Sequence, residues 1–303
     1  MIRAPLASLC LPLVLAPLLL GVINRTKAIV AGRKGQPLLQ AYFDLWKLLQ
    51  KGAVYSRSTT WVFYTGPAIG LAALLVATAI MPFGGAAAAV AFPGDLILLA
   101  YLLGLARFLT VVAALDTASS FEGMGASREV TFSALAEPAL LLALAALALQ
   151  TGSLSLSTIY TRIGVGSWGA TAPALALVAG ALLLVFLTEN ARIPVDDPTT
   201  HLELTMIHEV MVLDHSGPDL AFIQYAGALK LWLLGSLIVG LVVPLRSTTA
   251  WIDVAAATAG MFALATLTGL IESSMARWRL LRVPQLLVGA GLMSALALVL
   301  MLR

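Results

Sequence analysis

The most polar stretch of this sequence is ENARIPVDDPTTHLELTMIHE, which occupies positions 189 to 209. It holds five carboxylates, one arginine, two histidines and two prolines in a chain that is 60% hydrophobic. Carboxylates accept and release protons, and histidine changes its charge between roughly pH 5 and 8. The stretch is therefore a candidate site for proton transfer.

The histidines could also suggest a metal site. His201, His208 and His215 are spaced by seven residues. On a helix this spacing separates successive side chains by roughly 10 Å, which is too far for one tetrahedral site. The HExxH zinc signature also fails, because position 212 is valine. We therefore expect no metal in this chain, and the histidines either titrate near neutral pH or lie on a solvated helix face.

Further ionisable residues fall within or at the ends of long apolar runs. An ionisable side chain at the centre of a membrane helix costs about 2.5 to 3.5 kcal/mol, so each one calls for an explanation. Two explanations stay open: static pairing that holds helices together, or a hydrated relay that moves protons. The residues are Arg107, Glu137, Glu189, Lys230 and Glu272.

Long apolar runs must position these groups. Only 11% of the residues are charged, a composition typical of integral membrane proteins. A run of about 20 apolar residues crosses a bilayer core of roughly 30 Å. We predict an all-α integral membrane protein with one transmembrane domain over residues 1–303. Its eight predicted spans are 4–24, 61–81, 93–114, 131–150, 171–189, 220–243, 251–274 and 284–302.

The basic residues predict the orientation, because short loops rich in Lys and Arg stay in the cytoplasm. Twelve of them fall on one side of the predicted spans and four on the other. We therefore expect a cell (inner) membrane protein with large cytoplasmic loops and both termini outside. The net charge of +3 then reflects topology and requires no nucleic-acid partner. Cys10 is the single cysteine, which excludes an internal disulfide and a cluster held by several thiolates.

Three segments on the basic side are polar enough to carry function: 25–60, 115–130 and 190–219. The second mixes glycines with charges and predicts an ordered loop. Within the first, residues 37–51 predict an amphipathic helix at the membrane surface. That helix either anchors on lipid headgroups or docks a partner subunit. Its apolar stripe is Leu38, Tyr42, Leu45 and Leu49, and its polar stripe is Gln40, Asp44, Lys47 and Lys51.

Prolines and a capping pattern predict how the chain leaves the fifth span. Pro194 and Pro198 lack amide hydrogens and should end that span near Arg192. Thr200 followed by Glu203 forms a capping box, which predicts the start of a new short helix.

Several fragments, taken in order along nearly the whole chain, resemble one known family. They are GRKGQPLLQAYFDLWKLLQK after the first span, LARF with Arg107, GASRE at 125–129, Glu137-Pro138, ENARIPVD, and ESSMARWRL at 272–280. Each fragment is weak alone, but together they are similar to the membrane subunit shared by respiratory complex I and by membrane-bound [NiFe] hydrogenases of the formate hydrogenlyase type. In mitochondrial complex I the corresponding protein is subunit 1.

The resemblance implies a bundle that joins a hydrophilic redox arm to antiporter-like, ion-pumping subunits. In complex I the loop corresponding to 190–219 helps line a quinone chamber and feeds an acidic passage. Expected partners are hydrogenase large and small subunits and antiporter-like membrane subunits. Those partners would carry the [NiFe] site and the iron–sulfur clusters, so we expect no cofactor and no catalytic residue here.

The resemblance also implies roles for particular residues. The hydrogenase branch is favoured by Lys230, by the SMAR ending of the seventh span, and by Thr199 and His201 where relatives carry further glutamates. Residues expected to serve proton relay or coupling are Arg107, Glu137, Glu189, Arg192, Asp196, Glu203, Lys230 and Glu272. Residues expected to dock partners are Arg33, Gln40, Asp44, Lys47, Arg128 and Glu129.

Three alternatives to a hydrogenase coupling subunit stay open. The first is the quinone-site subunit of NADH:quinone oxidoreductase. The second is a stand-alone secondary transporter, although such carriers usually show repeated halves around a midplane site and no repeat is evident here. The third is a structural anchor that only tethers the redox arm.

Overall fold

The computed structural model describes residues 3–196, 206–247 and 249–302, with side chains from residue 8 onward. These ranges form α-helices and two 3-10 turns, Glu209–Val212 and Leu280–Arg282. The α-helices are α1 (Arg3–Val30), α2 (Gln40–Leu49), α3 (Trp61–Ile80), α4 (Asp95–Asp116), α5 (Ser120–Thr151), α6 (Leu156–Arg162), α7 (Val165–Glu189), α8 (Gly217–Val242), α9 (Ala250–Ser274) and α10 (Val283–Met301).

Eight of these helices, all but α2 and α6, are long and apolar enough to cross a membrane. This confirms the predicted all-α membrane fold with eight spans. Helices α1, α4, α7 and α9 finish at one end of the bundle, where α2 and residues 206–216 also lie. We call this the basic end, because most of the loop lysines and arginines belong to it.

Two local predictions were wrong. Residues 115–130 are mostly helical, since α5 begins at Ser120. Its polar first turns are covered by protein: a Cβ at Gly125 would meet Val210 and Met211, and Glu129 is only 4% exposed. The other error concerns residues 206–216, which contain a 3-10 turn and no continuous α-helix. The predicted start of that helix, at Thr200, lies outside the described residues.

Helix α8 is the centre of the bundle. Of its most apolar 18-residue window, 72% is buried, against 28 to 50% for the other seven spans. It packs against α1, α2, α3, α7 and α9. Polar groups fix the half of α8 that is remote from the basic end: the Tyr160 hydroxyl donates to the Leu237 carbonyl at 2.8 Å, and Trp168 Nε1 donates to the Leu241 carbonyl at 2.9 Å.

Backbone carbonyls of α1 accept hydrogen bonds from tyrosine side chains of two neighbouring helices. Pro17 has no amide hydrogen to bond the carbonyl of Leu13, and the Tyr225 hydroxyl on α8 donates to that carbonyl at 2.8 Å. The Tyr42 hydroxyl on α2 donates to the Val14 carbonyl. A Cβ at Gly21 would overlap the backbone of Leu38, so only glycine allows the chain before α2 to lie this close. These contacts position α2 across α1.

We therefore expect Gly21→Ala to destabilise the protein by about 1 to 3 kcal/mol through overpacking against Leu38. Gly289→Ala on α10 is the matched control, because a Cβ there meets nothing within 4 Å and alanine favours a helix by roughly 0.5 to 1 kcal/mol. Thermal unfolding in lipid nanodiscs measures both. Equal stability of the two variants would contradict the packing described for α1 and α2.

Candidate functional site

The Arg107 side chain on α4 is largely buried and lies at the centre of a group of charges. Its Nη1 donates to Glu137 Oε1 at 2.6 Å. Its Nη2 lies 2.9 Å from both carboxylate oxygens of Glu189. Its Nε lies 3.5 Å from Glu129 Oε1. One guanidinium, 9% exposed, therefore connects α4, α5 and the end of α7.

Two further groups extend this assembly toward the cavity and the basic end. Lys230 Nζ on α8 lies 3.7 Å from Glu189 Oε2. His208 Nδ1 lies 3.3 Å from Glu129 Oε2, without forming a hydrogen bond. Burial lowers the pKa of His208, as do the charges of Lys230 and Arg107, so its imidazole is neutral at neutral pH. We call these six residues, Arg107, Glu129, Glu137, Glu189, His208 and Lys230, the Arg107 cluster.

The formal charges of the Arg107 cluster do not balance. Counted as ionised groups, three carboxylates face two cations while His208 is neutral, which leaves a formal charge of −1. One added proton would neutralise that formal charge.

Glu272 on α9 forms a separate ion-pair group. Its Oε2 lies 2.8 Å from Lys27 Nζ, and its Oε1 accepts from Arg192 Nη1 at 3.3 Å. The Glu272 side chain is completely buried. The group joins α1 and α9 to the turn that follows α7.

Asp196 fixes the chain beside the Arg107 cluster. Its Oδ1 lies 2.8 Å from Arg277 Nη2. Its Oδ2 accepts from the amides of Ile207 and His208 at 3.0 and 3.4 Å. Arg128 supports the same segment by donating to the Met206 carbonyl at 2.8 Å. These bonds place the His208 ring next to Glu129.

A cavity of about 730 Å³ opens beside the cluster. Its wall includes Arg107, Glu129, Glu189 and Lys230, together with residues of α1, α2, α3 and the segment 206–215. Apolar side chains, among them Leu20, Leu71, Leu74, Ile223 and Leu231, line much of the remainder. The cavity therefore joins a charged wall to an apolar one.

The structure separates the residues predicted for proton coupling into three groups. Arg107, Glu137, Glu189 and Lys230 meet in one cluster, and Arg192 with Glu272 forms another. Asp196 holds the neighbouring segment, and Glu203 lies outside the described residues. Their roles in coupling stay predictions.

The residues predicted to dock partners also divide. Gln40 donates to Asp44 at 2.8 Å, and both line the cavity, so this half of the polar stripe of α2 faces the protein. The exposed face of α2 carries Phe43 and Trp46 beside Lys47, and Leu39 just before the helix is also exposed. Arg128 and Glu129 are turned into the protein. Arg33 and Lys47 are exposed, and docking stays a prediction for them.

Sequence reasoning missed the roles of Glu129 and His208 in the cluster. Glu129 precedes Glu137 by eight residues, which places both on one side of α5 after two helical turns. That signal was hidden because residues 115–130 were interpreted as a loop. No comparable signal exists for His208, which reaches Glu129 only through the turn that Asp196 holds.

Comparisons with known proteins identify the family and support the fold. Hydrogenase-4 component C of Escherichia coli (strain K12) is 34% identical over 239 residues, covering 79% of this chain and 74% of that protein. Formate hydrogenlyase subunit 4 of the same organism is 29% identical over 288 residues, covering 91% of each. A chain of the membrane-bound sulfane sulfur reductase, an archaeal respiratory membrane complex, shares the fold with a TM-score of 0.80. That match has 18% identity and covers 98% of this chain and 99% of the other.

The family model described as NADH dehydrogenase matches residues 3–303. The match agrees with the resemblance to complex I and to membrane-bound hydrogenases seen in the sequence fragments. The chain belongs to the NADH dehydrogenase family of membrane subunits.

Proposed function

We propose that this chain is the membrane-anchor and proton-coupling subunit of a membrane-bound hydrogenase complex of the formate hydrogenlyase type. Its similarity to hydrogenase-4 component C and formate hydrogenlyase subunit 4 supports the type of complex. The observation that carries the coupling role is the Arg107 cluster on the wall of the cavity. In this proposal the [NiFe] site and the iron–sulfur clusters belong to partner subunits.

The contacts of Arg107 favour a relay over static pairing. Removing one partner of a buried ion pair usually leaves an uncompensated charge, which is strongly unfavourable. Arg107 has three carboxylate partners, so it stays compensated when any one of them takes a proton. The cluster can therefore take a proton at one carboxylate while Arg107 keeps ionised partners at the others.

A series of ion contacts, of which only the one between Arg107 and Glu137 is a hydrogen bond, crosses the cluster. From His208 it runs to Glu129 at 3.3 Å, on to Arg107 at 3.5 Å, and from there to Glu137 at 2.6 Å. It begins in the segment 206–208 at the basic end and finishes on the outside of α5. In the proposed mechanism, a proton that binds at one end of this series changes the distribution of charge along it.

Glu137 indicates an adjoining membrane subunit. Its side chain is 49% exposed. It precedes the end of α5 at Thr151 by 14 residues, or roughly 21 Å, which places it inside a bilayer core of roughly 30 Å, in the half nearer the basic end. Against lipid a charge at this depth is costly. We infer that a polar group of an antiporter-like subunit covers it. Beside it on α4, Tyr101 and Phe108 are 74% and 62% exposed.

The basic end is the proposed site of the hydrophilic arm. The excess of loop lysines and arginines there supports a cytoplasmic location in the cell membrane. Arg33, Lys47 and Arg57 are exposed at this end and are available to hydrogenase large and small subunits. The eight crossings then leave both termini on the outer side.

Quinone binding is a second candidate function, favoured by the cavity alone. Its volume of about 730 Å³ lies within the range of roughly 300 to 1,000 Å³ common for small-molecule sites. The apolar wall would contact the ring and tail of a quinone. The charged wall would bind its carbonyl oxygens. Quinone extracted in stoichiometric amount from the purified complex, without nickel, would favour this candidate.

Purification from the native membrane should give nickel and iron together with hydrogenase large and small subunits. The physical reason is that a single cysteine cannot hold an iron–sulfur cluster, so turnover requires those partners. Metal analysis of the detergent-solubilised complex measures the nickel and iron, and subunit identification shows whether the hydrogenase subunits are present. A chain that purifies alone and transports a solute in liposomes would instead be a secondary transporter.

Glu189→Gln should lower proton translocation per turnover by about 10-fold or more, because the amide accepts no proton and leaves Lys230 unpaired. The membrane potential generated during turnover by the complex in vesicles measures this. Asp253→Asn is the control, since Asp253 is a buried carboxylate at the opposite end of the bundle and the amide retains the oxygen that accepts from Ser247. Full potential in Glu189→Gln would indicate a structural anchor.

Arg107→Met should destabilise the chain by about 3 to 5 kcal/mol, because it leaves three carboxylates without their shared cation. Arg107→Lys keeps the charge but loses the forked donor geometry, so we expect a smaller loss. Thermal unfolding of the purified chain in nanodiscs compares them. If both variants unfold like the wild type, Arg107 does not hold the three helices together.

A further inference from the structure

We propose that His215 and Asp219 form a second proton-transfer station, through which protons pass from water at the basic end into the cavity. The pair shares no residue with the Arg107 cluster. Its part in translocation rests on the proposed function, whereas its titration is a property of this chain alone.

Both side chains are buried and each has an unsatisfied atom. His215 is 5% exposed and Asp219 is 8% exposed. His215 Nδ1 and Asp219 Oδ2 are buried without a hydrogen-bond partner. Buried polar atoms generally find partners, so an exception calls for an explanation. Both of these atoms can bind a proton.

The imidazole is held in a fixed place. It stacks on the ring of Phe63, with centroids 3.9 Å apart and an interplanar angle of 6°. A protonated imidazole over an aromatic face gains a cation–π attraction. The stacking therefore supports the charged form as well as the neutral one, which a transfer group needs.

A short segment, residues 51–55, covers the pair on its solvent side. The Val54 amide donates to Ser216 Oγ at 3.1 Å. Gly217 has φ +57°, and a Cβ there would meet the carbonyl oxygen of Gly52 at 2.8 Å. The Tyr55 hydroxyl faces Asp219, and Tyr55 is 43% exposed. Tyr55 thus connects the buried carboxylate to surface water.

The charges around His215 set its resting state. Burial lowers the pKa of His215, and the nearby carboxylates of Asp219 and Asp214 act against that shift. The ring is therefore neutral at neutral pH and ready to accept a proton. The titratable groups around it are Asp219 on α8, Asp214 before α8, Tyr55 in the covering segment, Tyr64 on α3, and Glu122 on α5, which accepts from the Asp214 amide at 3.0 Å.

The inner side of the pair faces the charged cavity. His215 lines the same cavity as Glu189 and Lys230. In the proposed step the pair takes one proton from water at the basic end, so that His215 becomes an imidazolium beside the Asp219 carboxylate. Release of that proton to water in the cavity restores the neutral ring. One proton moves and no electron is exchanged.

Histidine titration in the full chain tests the pair directly. The chain holds three histidines, so carbon-13 histidine NMR in lipid nanodiscs can be assigned with His201→Gln and His208→Gln. We expect His215 to titrate below the usual value of about 6.5, and lower still in Asp219→Asn. Asp214→Asn is the matched control: Asp214 is exposed, so solvent screens its charge and the shift should be smaller.

Asp219→Glu keeps the negative charge, so His215 in this variant should titrate close to its value in the wild type. This comparison separates the loss of charge from disturbed folding. Titration of His215 that is the same in the wild type and in Asp219→Asn would overturn the pairing.

Translocation by the complex in vesicles tests the role. His215→Gln and Asp219→Asn should each slow proton uptake by about 10-fold or more, and added imidazole should partly restore His215→Ala. Undiminished translocation in the first two variants would overturn the station. Absence of hydrogenase partners would contradict the proposed function instead, and the NMR titration would still decide whether the pair exists.

Discussion

A guanidinium inside a bundle of apolar helices has to be neutralised by carboxylates that reach it from its neighbours, and this requirement shapes the centre of the molecule. Arg107 draws Glu129 and Glu137 of α5 and Glu189 of α7 to one point on α4. Gly104 lies beside this contact, and a Cβ there would be at an ordinary van der Waals distance of 3.6 Å from Glu137 Oε1. The charge pairing therefore decides which faces of three spans meet.

The need of buried charges for partners also explains why there is a cavity beside α8, the most buried of the spans. Helix α8 packs on most sides, yet at Lys230 its neighbours are charged groups that cannot be replaced by close-packed apolar side chains without losing their partners. The cavity reaches from this charged wall to His215 near the basic end. In the proposed function it is the shared chamber between solvent and the Arg107 cluster.

Much of the fold was predictable, because eight apolar runs and the prolines after Glu189 are local signals. The burial of the first turns of α5 was not, since their polar residues suggest a loop until residues 206–212 are seen to cover them. Pairings such as Glu272 with Lys27 join residues far apart in sequence, and no spacing rule reveals them. For α2, periodicity found an amphipathic helix but assigned Gln40 and Asp44 to the wrong surroundings.

The half-exposed carboxylate of Glu137 has a consequence for assembly. Until a neighbour arrives, a newly inserted copy must hold that group against acyl chains, or thin the bilayer locally to hydrate it. Association with a partner removes this cost, so the isolated polypeptide has a higher free energy in the membrane than the assembled one. In a cell that makes an excess of this subunit, the unassembled copies would be substrates for membrane proteases.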